Sequence, residues 1–207
     1  METMENNFGY SDTVIDHFTS PRNVLSTSED EYGPDGVGMV GNPTCGDMMK
    51  VWIKVDSEKD RITDLKWKTF GCASAIGSTS MMSIMITENG GMKLRDALSL
   101  TPQQIMDRLG GLPDIKIHCS VLGDKALRSA IHNYFESTGQ KNRILEETVQ
   151  TVCECANVTD KEIEEHVLEG ADSFEKLQER TKISTGCGKC RPAAEKLFDE
   201  YRTKYFG

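Results

Sequence analysis

From Met49 to Val55 apolar and polar residues alternate, so that Met49, Val51, Ile53 and Val55 share one face. A two-residue period sends successive side chains to opposite sides of an extended chain, and this run predicts a half-buried strand. Arg61 to Phe70 predicts a second, with Leu65 and Trp67 on one face and Lys66 and Lys68 on the other. Asp56 to Asp60 makes the hairpin connection, and further pairing is expected from the segment before Cys45.

Elsewhere the pattern is helical. Ser11 can cap a short helix to about Thr19, with Val14, Ile15 and Phe18 on one face, and Pro21 ends it. Residues 22–43 carry Gly33, Pro34, Gly36, Gly38, Gly41 and Pro43 among acidic and polar neighbours, which is loop chemistry. Ala73 to Glu88 predicts a helix closed by Asn89-Gly90-Gly91, and its Met81, Met82 and Met85 read as core or partner surface. Thr101, Pro102 and Gln104 make a capping box before a helix that ends at Gly110-Gly111. Ser120 to Thr138 is a longer helix with a wide stripe of Val121, Leu122, Ala126, Leu127, Ala130, Ile131, Tyr134 and Phe135. Thr159 and Glu162 form a second capping box opening a helix to about Glu169. Ser173 to Arg180 and Pro192 to about Tyr205 complete the set, the last turning Leu197, Phe198, Tyr201 and Tyr205 inward.

These elements predict an α+β fold over residues 1–138, a small antiparallel sheet covered by helices. A polar linker over 139–150 leads to a small all-helical domain over 151–207, whose cysteines lie in the connections. Charged residues make up 28% of the 207 positions and the net charge is −9, so nucleic acid is not an expected ligand. The start of the chain lacks the basic and apolar run of a signal peptide, and no stretch is apolar for long enough to span a membrane. A cytoplasmic, reducing setting is therefore expected, where cysteines serve as metal ligands or reactive groups more often than as disulfides.

Seven cysteines divide into three and four. Cys45 is flanked by glycine at 46 and followed by Asp47, Cys72 lies between a strand and a helix, and Cys119 follows His118 just before a helix. Thiols at helix N-termini lean toward thiolate. Three thiolates with a carboxylate or imidazole would hold a metal cluster less firmly than four thiolates. By spacing alone the three match no short ligand motif, and buried core cysteines or a mixed zinc site stay open. The other four form Cys153-x-Cys155 and Cys187-x-x-Cys190, where each close pair can place two sulfurs on one metal centre. Zinc held by four thiolates and a two-iron, two-sulfide cluster both satisfy that pattern. His17, His132 and His166 read as surface or capping residues.

Residues 10–135 resemble the IscU-type iron–sulfur scaffold, also found as the N-terminal domain of NifU. The matching stretches are Tyr10-Ser11, Val14-Ile15-Asp16-His17-Phe18, Pro21-Arg22-Asn23-Val24, Gly41-Asn42-Pro43, Cys45-Gly46-Asp47, Phe70-Gly71-Cys72 with Ser74-Ala75-Ile76, Leu112-Pro113 with Lys116, and His118-Cys119-Ser120. The resemblance implies that Cys45, Cys72 and Cys119 are cluster ligands and sulfur acceptors, with Asp47 and His118 as auxiliary ligands. It implies a non-enzymatic role: sulfur from a pyridoxal-phosphate cysteine desulfurase, iron, a labile [2Fe–2S] or [4Fe–4S] cluster, and transfer to apo-proteins, with a homodimer possible. Tyr10 aligns near the desulfurase contact. Ala73 stands where the family has glycine, and Asp114 interrupts the segment bound by a DnaK-type chaperone, which puts that partnership in doubt. The second segment resembles the Bfd-like domain that follows in NifU and implies a permanent [2Fe–2S] cluster on Cys153, Cys155, Cys187 and Cys190. NifU's third domain has no counterpart before Gly207. An electron-transfer protein with the C-terminal cluster alone, or a structural zinc protein, are the competing readings, and zinc can replace iron in isolated protein.

Overall fold

The structure is a computed structural model that describes residues 10–42, 47–111, 118–144 and 149–206, the side chains of 42, 47 and 118–121 excepted. The chain divides into two compact units, Met1–Ile144 and Leu145–Gly207. The first contains α1 (Asp12–Thr19), α2 (Glu29–Tyr32), β1 (Gly36–Asn42), β2 (Asp47–Asp56), β3 (Arg61–Thr69), α3 (Ala73–Thr87), β4 (Met92–Lys93), α4 (Leu94–Leu98), α5 (Pro102–Leu109) and α6 (His118–Ser137). Its sheet has the order β1-β2-β3-β4 and is antiparallel throughout. This is the α+β arrangement that the sequence predicts.

The alternating face of β2 does what its pattern requires. Met49, Val51 and Ile53 are fully buried with Ile62, Leu65 and Trp67 of β3, in one core with Met82 and Ile86 of α3 and Leu127 and Ile131 of α6. The opposite face is covered in part by a small cluster of Leu25, Tyr32 and Trp52. There the Lys50 and Lys54 ammonium groups sit over the Trp52 and Tyr32 rings, 5.1 and 4.8 Å from their centroids.

Residues 22–43, which read as loop by composition, hold α2 and the edge strand β1, the latter supplying the pairing expected from the segment before Cys45. The glycines that suggest a loop have another purpose here. A Cβ on Gly38 would stand 2.0 Å from the Ala126 carbonyl oxygen, and one on Gly36 would stand 2.4 Å from that of Ala130. The backbone of α6 therefore lies directly on β1, a closeness that only glycine allows.

The first helix is also rotated from the expected face. Val14 and His17 are buried, while Ile15 and Phe18 are 36% and 44% exposed. His17, expected at the surface, faces α3, where its Nδ1 lies 2.8 Å from Ser80 Oγ. That oxygen also accepts the Arg22 N–H at 2.9 Å, so one serine links α1, the turn after it and α3. Burial, then the nearby Arg22 charge, hold the His17 pKa below its usual 6.5. The unfolded chain thus takes up the proton more readily. This contribution to stability is complete above about pH 6.5 and is lost as pH falls through the lowered folded value. Urea midpoints of wild type and His17→Gln, measured from about pH 7.5 to 5, should show a fall in the wild type that is shallower in the variant.

After α6 the chain remains on the first unit. Arg143 donates to both Asp60 oxygens at 2.6 and 2.7 Å, with its guanidinium 4.3 Å from the Phe135 ring centroid. The second unit has β5 (Thr151–Cys153), β6 (Val158–Thr159), α7 (Asp160–Leu168), α8 (Phe174–Thr181) and α9 (Arg191–Phe206). It is helical, with a short β5–β6 ladder added that is too brief to show a period in sequence. Ile163, Val167, Phe174, Leu177, Ile183, Ala194 and Phe198 form its core. Glu164 is buried there. Burial alone would raise its pKa, but hydrogen bonds from Tyr205, Lys161 and Lys204 prevail and bring it down to about 2, which ties α9 to α7.

Candidate metal centres

The first candidate site is assembled at one end of the sheet. Asn42 pairs with Asp47 where β1 passes to β2, and the connecting residues carry Cys45, which lies outside the described residues. At that same end the Phe70 N–H donates to the Met48 carbonyl at 3.2 Å, and Cys72 follows as the N-cap residue of α3. Half-buried Cys72 passes its carbonyl to the Ile76 N–H at 3.0 Å, the first helical bond. The Tyr10 hydroxyl lies 2.9 Å from Ser74 Oγ and steadies this turn.

Helix α6 points toward the same end. Tyr134 and Ala130 meet Gly36, and Ala126 meets Gly38, so each step toward the start of α6 moves along β1 toward Asn42. His118 and Cys119, predicted just before a helix, form the first turn of α6, and their side chains lie outside the described residues, as does that of Asp47. The backbone thus brings the segments bearing Cys45, Asp47, Cys72, His118 and Cys119 to one region. The chaperone-type segment with Asp114 lies outside the described residues. Phe70, matched in sequence but given no role there, is 86% exposed beside Cys72, with Met48 and Met39 partly exposed on the adjoining strands.

In the second unit all four cysteines are described, and none is in a disulfide. Cys153 is buried at the end of β5; the chain then turns, leaving Cys155 exposed. Cys187 is exposed and Cys190 half-buried at the entrance to α9. Across the two motifs Cys155 Sγ lies 3.3 Å from Cys187 Sγ, and Cys190 is among the neighbours that lower the Cys153 pKa. The turn after Cys153 separates it from Cys155, two residues that an unbroken strand would keep on one face. The second loop approaches the first at Gly186, where a Cβ would stand 3.6 Å from that of Cys155, an ordinary contact.

The backbone N–H of Ser184 is the main influence that lowers the Cys153 pKa, and those of Ala156 and Cys155 add to it. Cys155 is pushed up by the Cys187 sulfur beside it, because two neighbouring thiolates repel. Among the described residues no three His, Cys, Asp or Glu side chains are gathered to hold a single metal ion. Four cysteines on two adjoining loops suit a rhombic cluster, in which each of two irons takes two thiolates.

The family model described as the NifU-like N terminal domain matches residues 9–141. The chain belongs to this family. A second model, the BFD-like [2Fe-2S] binding domain, matches residues 151–200. The Archaeoglobus fulgidus protein named iron-sulfur cluster assembly scaffold protein IscU 1 is 47% identical over 137 residues, covering 66% of this chain and 84% of that protein. The scaffold protein IscU of Aquifex aeolicus is 47% identical over 133 residues, covering 64% and 80%. The nitrogen fixation protein NifU of Trichormus azollae is 39% identical over 184 residues, covering 87% of this chain. The chain spans 60% of that relative's length. No helix among the described residues is long and apolar enough to cross a membrane.

Proposed function

We propose that this chain is an iron–sulfur cluster assembly scaffold. Cys45, Cys72 and Cys119 receive sulfur and iron, Asp47 and His118 serve as auxiliary ligands, and the cluster leaves for apo-proteins. The observation that carries the reading is the convergence of three separate cysteine-bearing segments at one sheet end, in a chain of the NifU-like family. A hard carboxylate beside three thiolates keeps the product labile. The position of Cys72 at a helix N-terminus favours the thiolate, the form that attacks a persulfide.

The sulfur donor in this proposal is a pyridoxal-phosphate cysteine desulfurase, which exposed Phe70 could meet beside Cys72. The setting is a reducing cytoplasm, and a homodimer would let two three-thiolate sites share a cluster. Cys153, Cys155, Cys187 and Cys190 hold a permanent [2Fe–2S] group whose chemistry is one-electron exchange. The exposure of Cys155 and Cys187 leaves one side of it open to a redox partner. Zinc occupies either site only as a substitute. No nucleotide loop or pyridoxal-phosphate site is assigned, and the role is that of a carrier.

The test is to incubate the protein with a desulfurase and 35S-cysteine, then count protein-bound sulfane sulfur. Label that falls to background in a Cys45/Cys72/Cys119 triple alanine variant supports the proposal. Label that is equal in the variant, or found only on the C-terminal cysteines, removes it.

A further inference from the structure

Ser184 stands between the two inner ligands of the second unit. Its hydroxyl lies 3.1 Å from Cys190 Sγ, and its backbone N–H is the main influence that lowers the Cys153 pKa. It does so from a left-handed conformation, φ +60°, that serine rarely adopts. A thiol could be either partner in the contact with the hydroxyl. A metal-bound thiolate has no proton, so on coordination the hydroxyl must donate.

Resting on the reading that these four cysteines hold a [2Fe–2S] cluster, we propose that Ser184 is a positioning residue that sets the cluster's reduction potential, its hydroxyl donating to the Cys190 thiolate. The cluster takes one electron from a low-potential one-electron donor, dithionite in the test, and gains one negative charge. No bond is made or broken in the protein. A hydrogen bond to a ligand sulfur draws off part of that charge and stabilises the reduced state over the oxidised one. Burial of Cys153 and half-burial of Cys190 keep water from replacing the donor.

Two substitutions separate the hydroxyl from the backbone. Ser184→Gly removes the hydroxyl and suits the positive φ; Ser184→Ala removes it and is strained there. Wild type and both variants would be reconstituted with iron and sulfide, assayed for both, and titrated with dithionite while the visible and EPR signals are followed. At the wild-type midpoint, the ratio of reduced to oxidised cluster should fall about tenfold in both variants, equal to about 59 mV for one electron. An unchanged ratio in both, or a change in the alanine variant alone, overturns the inference while leaving the cluster assignment intact. Loss of the cluster from both variants makes Ser184 a loading residue and also overturns it. A wild type that binds no [2Fe–2S] cluster removes the underlying assignment itself.

Discussion

Alanine at both Cys187 and Cys190 should bleach the protein. The two supply half of the four thiolates that the proposed rhombic cluster needs. A cluster left with two of its four thiolates would not be retained. Iron and sulfide of about two each per chain should fall below about a tenth of that, with loss of the visible bands. Val158, Ile163, Leu177 and Phe198 still fill the core, so helicity should be largely kept. Cys153→Ala should be more damaging to the fold than Cys155→Ser, because Cys153 is buried and Cys155 is exposed. Iron analysis and visible absorption of anaerobically reconstituted protein check this. A double variant that retains its iron and colour would place the permanent cluster elsewhere.

Gly38→Ala should strongly destabilise the first unit. The new methyl would stand 2.0 Å from the Ala126 carbonyl oxygen and 2.4 Å from the Ala130 nitrogen. Both are backbone atoms of α6, so the helix must lift from β1. Overpacking of this kind costs about 3 kcal/mol or more, on the order of 10 °C in Tm for a unit of this size. The lifted end of α6 carries His118 and Cys119, so sulfur acceptance should decline as well. Gly139→Ala is the control: its φ is +75° but nothing lies within 4 Å, and only about 1 kcal/mol of strain is expected. Equal melting of the two variants would contradict the close approach of helix to strand.

Much of this architecture is legible in the sequence. The period-two run in β2 and the capping boxes at Thr101 and Thr159 mark elements that the structure contains, because local chemistry decides them. Gly36 and Gly38 were misleading because a glycine needed for contact across space looks the same as one needed for a turn. His17 was misleading because its partner, Ser80, is 63 residues away. In the second unit the cysteine count and spacing suggest a metal site, but the contact of Cys155 with Cys187 depends on how the two loops fold, which spacing does not show. Ser184 gives no sequence signal, since its importance comes from a left-handed backbone and from a hydroxyl placed beside the Cys190 sulfur.

The most direct test of the scaffold claim is timed cluster transfer. The protein would be loaded anaerobically with a desulfurase, cysteine and ferrous iron, separated from the reagents, and mixed with an apo-ferredoxin in the presence of an iron chelator. Transfer that outpaces chelation, and that disappears in the Cys45/Cys72/Cys119 variant while the C-terminal cluster remains, is the predicted result. Transfer at the same rate from that variant, or none from the wild type, would contradict the account.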